Sequence, residues 1–296
     1  MIYRLRHTTR YIYASPVDLA AHVLHLQPRA LPGQRVLRAA LHTRPEPARL
    51  ATGFDHFGNP VGRLFFEAAH AEFEVTAEAV VDVGFAAPPA AAATPAWDHV
   101  AAMARDGGEG AWQATEFLYP SPMAPADAAV GAYAASSFPA GRPVLAGLLD
   151  LNARIRRDFA FRPGATDIAT PVSRVLAARA GVCQDFSHLM IAGLRALGLP
   201  ARYVSGYLRT RPPPGEKRRI GADASHAWVG CWLGPAHGWV DLDPTNDLVV
   251  RDEHVVLGWG RDYRDVSPVR GVILGGGAHT LSVGVDLEPL PEGLPP

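Results

Sequence analysis

The sequence predicts an α+β protein: an all-β amino-terminal half, read as a sandwich of antiparallel strands, followed by a core in which one helix packs against an antiparallel sheet. Three observations carry this expectation. Apolar and aromatic residues alternate with polar ones through the first 85 residues, an Ala/Pro-rich stretch interrupts the chain at 86–96, and an apolar period of three to four residues begins at Trp97. At roughly 150 residues per folded unit, a chain of 296 residues has room for about two. The expected division is a β-sandwich at 1–85, a linker at 86–96 and a core with carboxy-terminal strands at 97–296.

In the first unit, residues 2–13 alternate (Ile2, Tyr3, Leu5, His7, Tyr11, Tyr13), and strand-like runs follow near 34–43, 61–68 and 71–83. Pro28, Pro32-Gly33, Pro45, Pro47 and Gly58-Asn59-Pro60 punctuate them. Beyond the Ala/Pro stretch, helices are expected near 97–105, 125–136, 143–158 and 171–180. Another begins at Cys183, with Phe186, Leu189, Met190, Leu194 and Leu197 on its apolar face and Gly198 and Pro200 as its stop. Strands are expected at about 201–209, 225–233 and 238–243, and two more around Gly275-Gly276-Gly277.

Composition narrows the functions. The 28 Lys+Arg and 29 Asp+Glu nearly cancel, which gives no electrostatic reason to expect nucleic acid. The amino terminus has no apolar signal region, and no run approaches the ~18 unbroken apolar residues of a membrane span, so a cytosolic protein without a membrane partner is expected. Two cysteines, Cys183 and Cys231, exclude a disulfide scaffold and leave a thiol free to act as a nucleophile.

Cys183 falls in the first turn of its helix, where unpaired backbone N–H groups and the helix dipole favour an anion. In the strand Ala224-Ser-His-Ala-Trp-Val-Gly-Cys-Trp-Leu233, His226 shares a face with Trp228 and Gly230, and Cys231 lies on the other. The next strand places Asp241 and Asp243 on a common face, and either can orient His226 by accepting its second ring N–H. The pair His22-x-x-His25 suits a metal on a helix but has no acidic or thiol partner at a useful spacing, and a structural role is favoured for it. His188 lies five residues beyond Cys183, on another sector of the helix, and is left outside the site.

Gly181-Val-Cys-Gln-Asp-Phe-Ser-His188, Ala224-Ser-His-Ala-Trp228 and Gly238-Trp-Val-Asp-Leu-Asp-Pro-Thr-Asn246, in that order, resemble the bacterial transglutaminase-like superfamily, with its papain-like core. His7, Thr9, Tyr11 and Tyr13 with Phe57-Gly-Asn59 are similar to the β-region that precedes these cores, and Gly260-Arg-Asp-Tyr263 with Ser267-Pro268 to the segment after them. The resemblance implies Cys183 as nucleophile, His226 as base and Asp243, immediately before Pro-Thr, as orienter, with Asp241 the runner-up. It implies acyl transfer on peptide, protein or small amide substrates through a thioester, favouring hydrolysis by a cysteine peptidase or amidase that needs no cofactor or metal. Protein-glutamine crosslinking is the alternative, then a catalytically idle binding scaffold, and a zinc hydrolase stands third. Gly230 departs from the pattern, since relatives usually carry an acidic residue there. Finally, Lys217, Arg218 and Arg219, between the strands that flank the site, are expected to form a basic loop, either merely solvated or guiding acidic substrates.

Overall fold

The computed structural model describes residues 1–108, 110–210 and 224–291. The basic segment at Lys217–Arg219 lies outside the described residues.

The amino-terminal sheet is organised by one long strand, β1 (Ile2–Leu24), with β2 (Gln34–Arg44), β3 (Arg49–Phe54), β4 (Pro60–Phe66) and β5 (His70–Val83) following in sequence. β5 and then β4 run antiparallel along one edge of β1, and β2 and β3 extend the sheet outward in the order β2-β5-β1-β4-β3. The expected strand ended at residue 13. β1 instead continues through Pro16 because its pairing with β5 shifts register between Ile12 and Val17, so the ladder does not need the N–H that proline lacks.

The opposite edge of β1 is filled from the far end of the chain. β13 (Val269–Gly275) and β14 (His279–Pro289) pair antiparallel with residues 17–24 and 3–13 of β1. Their junction bends beside Pro16: Gly275 and Gly276 have φ of +91° and +82°, and a Cβ on Gly275 would lie 2.6 Å from the Pro16 carbonyl oxygen. The sequence groups these two strands with the core at 97–296. Alternation identifies a strand but not its partner, and their partner is β1. The sheet curls on itself around a core that includes Val17, Leu24, Phe66, Phe73 and Val75.

The core opens with α1 (Trp97–Asp106), α2 (Trp112–Thr115), α3 (Ala128–Ala135) and α4 (Val144–Asp158). A short parallel pair, β6 (Ala160–Phe161) and β7 (Ala180–Gly181), brackets α5 (Val172–Ala178) and leads into α6 (Cys183–Ala196). A five-stranded antiparallel sheet follows, built from β8 (Ala201–Leu208), β9 (Ala224–Trp232), β10 (Trp239–Asp243), β11 (Leu248–Val249) and β12 (His254–Gly260) in the order β11-β10-β9-β8-β12. α6 buries Phe186, Leu189, Met190 and Leu194 with Tyr203, Ala227, Val229 and Cys231 of the sheet. The Ala/Pro stretch is docked on α4: Val144 N–H donates to the Pro95 carbonyl (2.8 Å) and Leu145 N–H to Thr94 Oγ1 (3.2 Å).

Two amide side chains clip the units together. Gln34 both donates to and accepts from the Val256 backbone (2.8 Å each), and Asn59 does the same at Trp259 (2.8 and 2.9 Å). β12 shifts register between Val256 and Gly258, and a Cβ on Gly258 would sit 2.6 Å from Asn59. Tyr3, Leu5, Val81 and Leu287 of the first sheet pack with Tyr207, Val255 and Leu257 of the second in one buried cluster. Arg29 and Arg202 both lie over the Trp259 ring, at 3.6 and 3.8 Å from its centre.

Candidate active site

Cys183 is the first residue of α6, preceded by extended Val182 and Gly181. Asp185 organises the turn. Its Oδ2 accepts the Val182 N–H (2.8 Å) and the Thr166 hydroxyl (2.6 Å), while burial pushes its carboxyl up against the pull of those two bonds. It is a capping residue. Cys183 stays partly exposed, whereas Cys231 is fully buried and its thiol is pushed up by burial.

His226, on β9, donates from Nε2 to Asp243 Oδ2 (2.8 Å), and it lines the same cleft as Cys183. Burial disfavours charge on the imidazole, but Asp243 and Cys183 outweigh it and raise His226 to about 10. Asp243, fully buried at the end of β10, accepts five donors. Oδ2 takes His226, Asn246 Nδ2 (2.7 Å) and His254 Nε2 (3.3 Å), and Oδ1 takes the N–H groups of Thr245 (3.0 Å) and Asn246 (3.3 Å). Burial alone would raise its carboxyl, yet these donors hold it well below the usual range.

Asp241 has other partners. It accepts the Trp228 indole N–H (3.1 Å) and pairs with buried Arg202 (3.4 Å). Gly230, opposite Asp241 in the ladder, is the space into which Arg202 fits: a Cβ there would lie 2.6 Å from its Nε and 2.7 Å from Asp241. The departure from the family pattern at 230 thus accompanies a buried ion pair.

Sequence reasoning missed His254 and Tyr203. His254 approaches Asp243 from β12, and nothing in the linear pattern announces that pairing. Asn246 was legible, three residues after Asp243 in the quoted motif. His226, Asp243 and His254 place their ligand atoms within 4.8 Å of one another. The 2.8 Å contact is a direct hydrogen bond, shorter than the roughly 3.3 Å that separates ligands around tetrahedral zinc, so the cluster fits a proton network better than a metal. His22 and His25 lie not on a helix but in β1 and just after it. His22 stacks on Phe73 (4.7 Å), and His25 reaches Asp55 (3.2 Å). His188 also stays outside: it stacks on Tyr203 and accepts the Tyr263 N–H (3.2 Å), and burial lowers it to about 4. Arg261 is held by Asp265 at 2.9 Å.

Cys183 and His226 open into a cleft of about 440 Å³ between the core and the β1/β14 face of the first sheet. A second cleft of about 380 Å³, holding Arg156 and Phe161, meets it at Cys183, Ser225 and His226. A larger groove of about 1150 Å³ beside β3 and β13 has no nucleophile. Among the described residues no helix is long and apolar enough to cross a membrane.

The sequence matches the bacterial transglutaminase-like N-terminal region over residues 3–82 and the transglutaminase-like superfamily core over 137–244. An uncharacterized protein of Mycobacterium tuberculosis is 42% identical over 294 residues, covering 97% of this chain and 92% of its own. A protein-glutamine gamma-glutamyltransferase of Pseudomonas aeruginosa is 34% identical over 88 residues, 29% of this chain and 13% of that protein. A solved structure from Cytophaga hutchinsonii, whose description as a cysteine protease is itself provisional, shares the fold at a TM-score of 0.74 with 22% identity, covering 100% of this chain and 93% of its own. With both regions matched in order and a relative of this similarity aligned along nearly its whole length, the chain belongs to the transglutaminase-like superfamily, in the form that carries the bacterial N-terminal region.

Proposed function

We propose that the protein is a thiol enzyme that cleaves amide bonds through a Cys183 thioester and passes the acyl group to water, as a cysteine peptidase or amidase. The observation that carries this reading is the placement of Cys183, at the start of α6, in one cleft with His226, whose ring is hydrogen-bonded to Asp243. With Nε2 committed to Asp243, Nδ1 of His226 is the nitrogen that exchanges a proton with Cys183. The sulfur attacks the amide carbonyl, a C–S bond forms and the π pair moves to oxygen. That oxyanion faces the Cys183 N–H, one of the unpaired donors at the helix start. The C–N bond then breaks as His226 protonates the departing amine. Water adds to the thioester, giving its proton back to His226, and expulsion of the sulfur regenerates Cys183 and releases a carboxylic acid. Every atom is supplied by substrate and water, so no cofactor is required, and a reducing compartment such as the cytosol suits the free thiol.

The name of the Pseudomonas relative favours a second reading, in which a lysine amine replaces water. Fluorogenic peptide amides with and without a dansylated alkylamine separate the two. Hydrolysis predicts release of fluorophore without amine incorporation, and crosslinking predicts incorporation. In either case Cys183→Ala should lower turnover by at least about a thousandfold. If the variant keeps wild-type turnover, the reaction does not run through this thiol. If the wild type labels with iodoacetamide but never turns over, the site is an idle scaffold.

A further inference from the structure

The cleft at Cys183 has two walls of different origin. One belongs to the core: Cys183, His226 and Tyr203. The other is a ladder of three cross-strand pairs on one face of the amino-terminal sheet, His7 with Val285, Thr9 with Val283 and Tyr11 with Leu281. Alternate residues of a strand share a face, so β1 and β14 together present this stripe toward the nucleophile.

The stripe has graded polarity. Val285, His7 and Thr9 are buried at its inner end, and Leu281 and Val283 stand 54% and 53% exposed at its outer end. His7 is a closed polar group. Its Nδ1 meets the Tyr207 hydroxyl at 2.7 Å and its Nε2 the Thr9 hydroxyl at 2.8 Å, which leaves neither nitrogen for a ligand. Burial lowers His7 to about 4, so it is neutral at physiological pH. Apart from Cys183 and His226 themselves, none of the described residues lining this cleft is Asp, Glu, Lys or Arg. Along this wall a charged side chain would lose water with no counter-ion among the described wall residues, whereas an apolar one would cover two half-exposed aliphatic side chains.

We propose that the β1/β14 face of the amino-terminal sheet is the specificity wall of the enzyme, and that it selects an uncharged apolar or aromatic side chain next to the bond that Cys183 attacks. The proposal rests on the reading of Cys183 as the nucleophile. It gives the amino-terminal region a direct role in choosing substrate, beyond supporting the core.

The test uses peptidyl acyloxymethyl ketones that differ only in the side chain beside the reactive carbon: Phe, Leu, Asp or Lys. The thiolate displaces the carboxylate, so a C–S bond forms as a C–O bond breaks, and mass spectrometry of the labelled peptide gives the rate. Each rate is divided by the iodoacetamide rate of the same protein. The expected wild-type preference for Phe and Leu over Asp and Lys is about 10- to 100-fold. Leu281→Lys combined with Val283→Lys should reverse the order of Asp and Phe. Val272→Lys, 77% exposed on the neighbouring strand outside the cleft, should leave the preference unchanged. Equal normalised rates for charged and apolar probes, or a preference unmoved by the double variant, would overturn the proposal. Failure of iodoacetamide to label Cys183 at all would instead overturn the reading of the nucleophile on which it rests.

Discussion

Replacing Asp243 with Asn removes the charge that keeps His226 protonated and puts an amide where three donors converge on Oδ2. The rise of His226 from 6.5 to about 10 corresponds to roughly 5 kcal/mol in favour of the charged imidazole, at about 1.4 kcal/mol per factor of ten in acidity. A folded-state value above the unfolded one contributes stability that is fully present below pH 6.5 and is lost as pH rises toward 10. Between pH 7.5 and 9 the unfolded chain has already released this proton while the folded chain retains it, so the wild type should lose about 2 kcal/mol over that interval. His7, His22 and His188, all lowered to about 4 by burial, change sign lower down, as pH falls below 6.5, and stay out of the window. Cys231, which is raised, contributes equally to wild type and variant and cancels in their difference. Urea denaturation of both proteins at pH 7.5, 8.25 and 9 should therefore show Asp243→Asn less stable by about 3–5 kcal/mol at the lowest pH, the cost of breaking a buried pair. The gap should narrow by about 2 kcal/mol at the highest. A gap that stays constant or widens with pH would mean that Asp243 does not hold His226 in its charged form.

Three further outcomes follow from the same geometry. Iodoacetamide at neutral pH should modify Cys183 and spare Cys231, which is fully buried; peptide mapping showing Cys231 labelled first in the folded protein would reverse the assignment. Asp241→Asn should leave turnover within about tenfold of wild type, yet cost about 3–5 kcal/mol in urea because it strands buried Arg202, while Asp243→Asn cripples turnover by orders of magnitude; the opposite pattern would make Asp241 the orienter. Tyr203→Phe removes the hydroxyl of a residue that lines the cleft together with Cys183, without changing the ring's packing on His188, and should lower kcat about tenfold or more with KM unchanged if that hydroxyl meets the oxyanion; an unchanged kcat would exclude it.

The parts of the molecule legible in the sequence were those with local signatures. The helix beginning at Cys183 could be read from its apolar period and its Gly198 and Pro200 stop, and Asp241 and Asp243 from strand parity. Parity could not say which aspartate His226 reaches, because both lie on its face; the Trp228 indole and the Arg202 guanidinium, which occupy Asp241, come from two other strands. The same limit explains β12, whose sequence His254-Val-Val-Leu-Gly-Trp-Gly260 was passed over, and β3, a mostly exposed strand with little alternation. β13 and β14 were legible as strands but were grouped with the core, since a strand's period says nothing about a partner 245 to 286 residues away. His7, Thr9 and Tyr11 stood out as a motif, and their place opposite Cys183 emerges only when the last strand is laid beside the first.

The pairing of β14 with β1 also sets an order in time. Arg4 and Glu288, which face each other across that ladder, are separated by 284 positions, so at about 5–20 residues per second a ribosome takes roughly 15 to 60 s between making one and the other. Until then β1 can pair with β5 and α6 can present its thiol, but the wall across the cleft has only its β1 half. On the proposed reading, a Cys183 thiol presented before that wall is complete would meet acyl donors without selection. Pairing of β14 with β1 is then the step that brings Leu281, Val283 and Val285 to the cleft of Cys183.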